Sequence, residues 1–86
     1  IETAYTILNG EYEVIEAEII ETSELINKEL NKTNLPEEIR IGAILRDEDI
    51  IIPRSNFVFK KEDIVVFLAK QDQLSVVENM FRISSF

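Results

Sequence analysis

Cysteine and histidine are both missing from these 86 residues. Without cysteine there is no disulfide and no thiolate metal site, which suits a reducing compartment. Without histidine the commonest general base and the commonest zinc ligand are gone, so hydrolytic chemistry is not expected. Tryptophan is also absent, and only two glycines and two prolines interrupt the chain. At 45% hydrophobic residues, a sequence this apolar and this sparing of breakers folds instead of staying disordered. No apolar run approaches the roughly 20 residues that span a bilayer, and no basic-then-apolar leader opens the sequence. A soluble chain is expected, one whose membrane link would run through another protein.

Basic charge is scarce in the first half. Residues 1–38 carry ten acids against two bases, net −8, whereas residues 39–86 carry seven of each. An acidic half repels phosphate backbones, so nucleic acid is not an expected partner. Its simplest use is a solvated face that keeps the chain soluble. The length fits one domain, residues 1–86, burying only about 60 to 65% of the surface of its unfolded chain. Some apolar surface is therefore expected to wait for a neighbouring domain or a twin subunit.

The pattern predicts an α+β domain of order ββαβββα, with a mixed or antiparallel sheet packed against two helices. Ala4 to Leu8 and Tyr12 to Ile20 read as strands joined at Asn9-Gly10, a dipeptide suited to a type I′ turn. Ile15, Ala17 and Ile19 share one face and Glu16 and Glu18 the other, with a change of burial face expected near residue 14. Thr22 or Ser23 is placed to cap a short helix carrying Leu25, Ile26 and Leu30, which Leu35-Pro36 ends. Ile39 to Arg46 is the next strand, and Gly42 within it marks a bulge or a close backbone approach. Ile50 to Ile52 closes at Pro53, and Phe57 and Phe59 mark a short strand or an anchored loop. Ile64 to Ala69 is the most buried strand. Asp72 is the expected cap of a last helix, on which Leu74, Val77, Met80 and Phe81 face the core. Phe86 is expected to be exposed or held by a partner.

Few residues suggest chemistry. Asp47-Glu48-Asp49 offers oxygens to a hard cation but lacks the glycine and distal glutamate of a calcium loop, so a solvated turn is expected and no metal site. Glu16 and Glu18 stand about 6.5 to 7 Å apart along a strand, a carboxylate spacing also found in inverting glycosidases. No aromatic sugar platform or accompanying base goes with them, and no catalytic residue is assigned. Arg40, Arg46 and Arg54 are the bases nearest the central sheet, and simple alternation puts Arg40 and Arg46 on one strand face. Salt bridges to the surface acids are their expected use.

Seven segments in order carry a family resemblance: Glu13-Val14-Ile15-Glu16, Ser23 to Leu30, Leu35-Pro36, Ile41 to Arg46, Ile50 to Pro53, Asp63 to Leu68 and Leu74 to Phe81. Together they make the chain resemble the C-terminal (RCK-C) domain of the TrkA family of potassium-uptake regulators, over essentially its whole length. Two positions depart from the family pattern. Asn27 and Glu62 stand where glycine is usual; asparagine tolerates positive φ, whereas Glu62 suggests a turn of another type. The resemblance implies a non-enzymatic cytoplasmic gating domain, a homo-oligomer that acts on a membrane potassium transporter subunit from the inner face of the membrane. It places NAD or ATP in a preceding dinucleotide-binding domain, since Gly10 and Gly42 form no G-x-G-x-x-G here. It also implies an alternative, a sensor of cyclic di-AMP or calcium in another transporter or channel. Some members bind a cyclic dinucleotide around the strand read here as Ile39 to Arg46. Arg40, Ile41, Arg46 and Arg54 are the resulting ligand candidates, although Pro36 and the short Glu37-Glu38 loop differ from those binders.

Overall fold

Asn9 and Gly10 both take positive φ, 56° and 89°, as a type I′ turn requires. That turn joins β1 (Glu2–Ile7) to β2 (Tyr12–Glu18) as a hairpin. Further along come β3 (Arg40–Arg46), β4 (Asp49–Ile51), β5 (Ile64–Lys70) and one α-helix, α1 (Leu74–Phe81). The computed structural model describes residues 2–81, and Phe86 lies outside the described residues. The sheet order is β1-β2-β5-β3-β4, and every pairing is antiparallel. The continuous apolar strand β5 occupies the centre, as its composition predicts.

One face of the sheet carries the core. Ile15 and Ala17 of β2, Ile44 of β3, and Val65, Phe67 and Ala69 of β5 are all buried there with Ile19, Leu25 and Phe59. The helix α1 closes this layer with Val77, Met80 and Phe81. The Phe81 ring stacks on Phe67 with centroids 5.2 Å apart and planes 7° from parallel. Burying an aromatic ring contributes roughly 2 to 3 kcal/mol, so this pair anchors the helix to the sheet. The expected change of face near residue 14 does not occur. β2 pairs with β5 in unbroken register from Tyr12 to Glu18, and Glu13 lies on the buried side with Ile15. The irregularity sits instead on β1, between Thr3 and Tyr5.

The helix expected over Ser23 to Leu30 is replaced by tight turns and one turn of 3-10 helix, Leu30–Lys32. Asn27 takes φ 63°, a left-handed conformation that no right-handed helix continues through. The backbone groups find tertiary partners instead: Asn27 N donates to Phe59 O, Phe59 N to Lys28 O and Leu30 N to Phe57 O. These bonds make a narrow ladder between residues 27–31 and 55–59, so Phe57 and Phe59 belong to an anchored strip with one bridge, Glu29 to Val58. Ser23 is buried and ties the turn to α1: its hydroxyl donates to Met80 O at 2.8 Å and accepts from Leu25 N.

Asp72 does not cap the last helix. The chain leaves β5 directly into a 3-10 turn at Gln71–Gln73, with Lys70 as the capping position and no side-chain cap. Glu11 O, at the β1–β2 turn, accepts from Gln71 N at 2.8 Å. A carbonyl from another element thus satisfies the first N–H of the turn, one of the donors a helix start leaves without an internal partner.

Gly42 is a bulge. The register between β3 and β5 slips between Ile41, opposite Phe67, and Ala43, opposite Val66. Before the slip Arg40 lies opposite Leu68; after it Ile44 lies opposite the buried Val65. Arg40 and Arg46 therefore do not share a face. Arg40 stands on the open side of the sheet, and Arg46 follows Ile44 onto the core side.

The open side has no layer over its centre among the described residues. Val14, Ala43, Ile64, Val66 and Leu68 there are only half-buried, and Leu45 is exposed. Ile50, paired with Leu45 on the edge strand, is 73% exposed, and Ile52 is 72% exposed.

Candidate functional site

Two features near β3 gather polar and apolar groups. The first is a cleft of about 310 Å³ where the start of β3 meets the segment from Leu30 to Glu37. Leu30, Leu35, Pro36, Ile39, Ile41 and Pro53 supply its apolar lining, and Thr33, Glu37 and Arg40 its polar rim. Pro36 and the turn after it set the entry: Ile39 N donates to Pro36 O at 3.0 Å. The Arg40 guanidinium folds back over this turn, donating to the carbonyls of Glu37 and Ile39. It remains exposed, so a planar, permanently charged donor stands beside an apolar floor.

The second feature is a clamp built on Arg46. Its Nε donates to Asp63 Oδ1 and its Nη2 to Asp63 Oδ2, both at 2.7 Å, a bidentate pair. Nη2 also donates to Val58 O at 2.9 Å, and the guanidinium carbon lies 4.9 Å from the centre of the Phe57 ring. Asp63 is 1% exposed and accepts a third bond, from Lys60 N at 2.8 Å. The hydrogen bonds to Asp63 hold the Arg46 pKa above its ordinary value against partial burial, which pulls the other way. Arg46 is thus a fixed cation with its Nε and Nη2 donors spent on protein groups. It ties the end of β3, the 57–59 strip and the turn before β5 into one unit.

Of the four ligand candidates, the structure brings Arg40 and Ile41 together in the cleft and leaves the other two out of its lining. Arg46 is engaged by Asp63, and Arg54 is an exposed loop residue. The bulge at Gly42 is the physical reason for the separation of Arg40 and Arg46. Thr33, Leu35, Ile39 and Pro53 are among the lining residues that had not been candidates; Leu35-Pro36 and Pro53 were legible as terminators and as marks of the family pattern, not as a lining. Asp47, Glu48 and Asp49 are exposed, and among the described residues no three acidic side chains converge as a metal site. Glu16 and Glu18 stand exposed on the open face of the sheet. No described helix is long and apolar enough to cross a membrane.

Comparison with known proteins places this geometry. The family model described as TrkA-C domain matches residues 14–82. The Trk system potassium uptake protein TrkA of Azorhizobium caulinodans is 38% identical over 80 residues, covering 93% of this chain and 18% of the relative. The Trk system potassium uptake protein TrkA homolog 1 of Methanosarcina mazei is 34% identical over 82 residues, 95% of this chain and again 18% of the relative. The chain thus spans under a fifth of the length of either relative. Among solved structures, one described as "RCK_C domain dimer of S.agalactiae BusR in complex with c-di-AMP" aligns with a TM-score of 0.70 at 23% identity, covering 84% of this chain and 93% of that one. Another, "Structure of RCK domain with cda", aligns with a TM-score of 0.69 at 13% identity, over 78% and 94%. At these identities the two structures speak for the fold.

Proposed function

The chain belongs to the TrkA-C domain family, and from that premise we propose that it is a regulatory, non-catalytic domain of a potassium-uptake gating subunit. It works on the cytoplasmic side, assembles with copies of itself, and passes ligand state to a membrane transporter subunit. The observation that carries this reading is the one-sided sheet: a clamped, rigid β layer whose second face is apolar and left open. A passive coupling piece needs such a body, because a ligand shifts an assembly only through contacts that differ between its states. The test is a graft. This chain replaces the matched C-terminal segment of the Azorhizobium caulinodans protein, and potassium uptake is measured in cells lacking their own regulator. Regulated uptake is expected to return; uptake no better than with the segment deleted would sink the proposal.

A second reading is favoured by the cleft. An apolar floor of Leu35, Ile39, Ile41 and Pro53 beside the exposed guanidinium of Arg40 suits a cyclic dinucleotide, with bases on the floor and a phosphate at the guanidinium. A structural neighbour described as in complex with c-di-AMP supports trying that ligand first. Calorimetric titration with cyclic di-AMP is expected to give saturable heat that Arg40→Ala weakens at least tenfold. Absence of heat up to millimolar ligand would eliminate this reading and leave the assembly role standing.

A further inference from the structure

The open face of the sheet carries a charge pattern that the chain as a whole does not. The protein has a net charge of −8, which opposes the approach of a second copy on most of its surface. On the open side of the three central strands, the charged side chains are Glu16 and Glu18 of β2, Lys70 of β5 and Arg40 of β3. Two acids and two bases cancel. They are also segregated: Lys70 lies opposite Tyr12 and Arg40 opposite Leu68 at one end, while Glu16 lies opposite Val66 and Glu18 opposite Ile64 at the other.

We infer that this face is a self-complementary docking surface for a second copy of the chain, with the acidic corner of each copy laid on the basic corner of the other. The inference rests on the assembly role proposed above and names the surface and its register. Between the charged corners run Val14, Leu68, Val66, Ile64 and Leu45, and the patch continues over the edge through Ile50 and Ile52. At about 4.8 Å between strands and 3.3 Å per residue, a sheet this broad presents on the order of 500 Å² in flat projection. That is the same order as the roughly 800 Å² per partner of a standard interface.

Glu18 and Arg40 stand at diagonal corners, two strands and four residue rows apart, roughly 16 Å by the same spacings. A two-fold axis lying between the facing sheets, at right angles to the line joining those corners, puts Glu18 of each copy over Arg40 of the other. Both contacts form at once, as an isologous interface demands. The strands of the two sheets then cross steeply, near the orthogonal class of sheet packing.

The experiment is a charge-reversal matrix on the full chain, read by sedimentation equilibrium at low and high salt, with circular dichroism to confirm the fold. One variant carries Glu16→Lys and Glu18→Lys, and the other Arg40→Glu and Lys70→Glu. Each variant alone places like charges at both corners, and its dimer dissociation constant is expected to rise at least tenfold at low salt. An equimolar mixture pairs opposite charges at both corners and is expected to form heterodimers at least as tightly as the unmodified chain. A dimer of the unmodified chain indifferent to both reversals would overturn this surface and leave self-assembly intact. A mixture that stays monomeric while the unmodified chain dimerises would overturn the register. An unmodified chain that remains monomeric at millimolar concentration would overturn the surface and remove self-assembly from the proposed function.

Discussion

Replacing Asp63 with asparagine keeps the side-chain shape and removes the charge, so it isolates what the clamp contributes. The carboxylate accepts from Arg46 Nε and Nη2 at 2.7 Å and from Lys60 N at 2.8 Å. An amide presents one oxygen and an NH2, so at least one of those three donors faces another donor. Losing one partner of a fully buried pair costs about 3 to 5 kcal/mol. The Arg46 side chain, however, is 28% exposed against 1% for Asp63, and water takes up part of the orphaned charge. A loss of about 2 to 3 kcal/mol is therefore expected for Asp63→Asn. For a domain of this size that lowers Tm by roughly 8 to 24 °C.

Urea unfolding of the unmodified chain, Asp63→Asn, Arg46→Met and the double variant gives a coupling energy, expected to exceed about 1.5 kcal/mol. Because the pKa of Arg46 is raised on folding, its contribution is complete below the unfolded arginine value and is lost only as pH rises through the higher folded one. The gap between the unmodified chain and Arg46→Met is thus expected to stay flat from pH 6 to 10, as far as Arg46 is concerned. Asp63→Asn within about 0.5 kcal/mol of the unmodified chain at unchanged m-value, or additivity in the cycle, would refute the clamp as a stabilising unit.

Four further substitutions probe single backbone or side-chain features. Glu62 takes φ 74°, so Glu62→Gly is expected to raise stability by about 0.5 to 1 kcal/mol, the relief of left-handed strain exceeding the entropy lost; a fall in Tm would contradict it. Ser23→Ala removes both hydroxyl bonds, to Met80 O and from Leu25 N, and is expected to cost about 1 to 2 kcal/mol by denaturant midpoint. The two glycines should behave oppositely under Gly→Ala. Gly10, at φ 89°, is expected to lose about 1 kcal/mol, whereas at Gly42 an added Cβ meets only Val66 O at an ordinary 3.6 Å, so the change is expected to stay within about 0.5 kcal/mol.

The strands were legible because their signals are local. Alternation in Ile15 to Ile19, the Asn9-Gly10 turn and the unbroken apolar run of β5 each act within a few residues, and tertiary packing reinforces them. The first helix was misread because its apolar spacing is equally served by turns. Leu25 does reach the core, but Asn27 breaks the helical path and the 55–59 strip captures the freed amides. A carbonyl acceptor so far along the chain, Phe59 O for Asn27 N or Ser55 O for Asn31 N, leaves no trace in local periodicity. The same holds for the cap of α1: Asp72 has the right chemistry, yet it lies inside the 3-10 turn Gln71–Gln73 that runs into the helix, and the capping position falls on Lys70. Glu62 gives the reverse lesson. It keeps the positive φ that glycine would adopt, because Glu62 N donates to Ile19 O at 2.7 Å and Ile19 N to Asp63 O at 2.8 Å, and those bonds fix the turn whatever residue occupies it.

Arg40 and Arg46 show how one bulge reorganises a candidate site. A two-residue period assigns both to one face, and Gly42 was already suspect as a bulge, but a one-residue slip inverts every side chain beyond it. The slip sends Arg46 inward, where only a buried acid makes its charge tolerable, and Asp63 supplies that acid. Arg40, left on the other side, forms no ion pair among the described residues and reaches backbone carbonyls at the cleft instead. The pattern of neutral sequence charge over residues 39–86 thus conceals two different arginines, one spent on architecture and one held at the surface. Gly42 is the residue left over between Ile41, opposite Phe67, and Ala43, opposite Val66, so a chain without it keeps both pairings and both faces in plain alternation. Deleting Gly42 is accordingly expected to leave the domain folded with the Arg46–Asp63 coupling energy retained; a folded deletion variant that has lost that coupling would show that β3 does not hold its register against β5 once the bulge is gone.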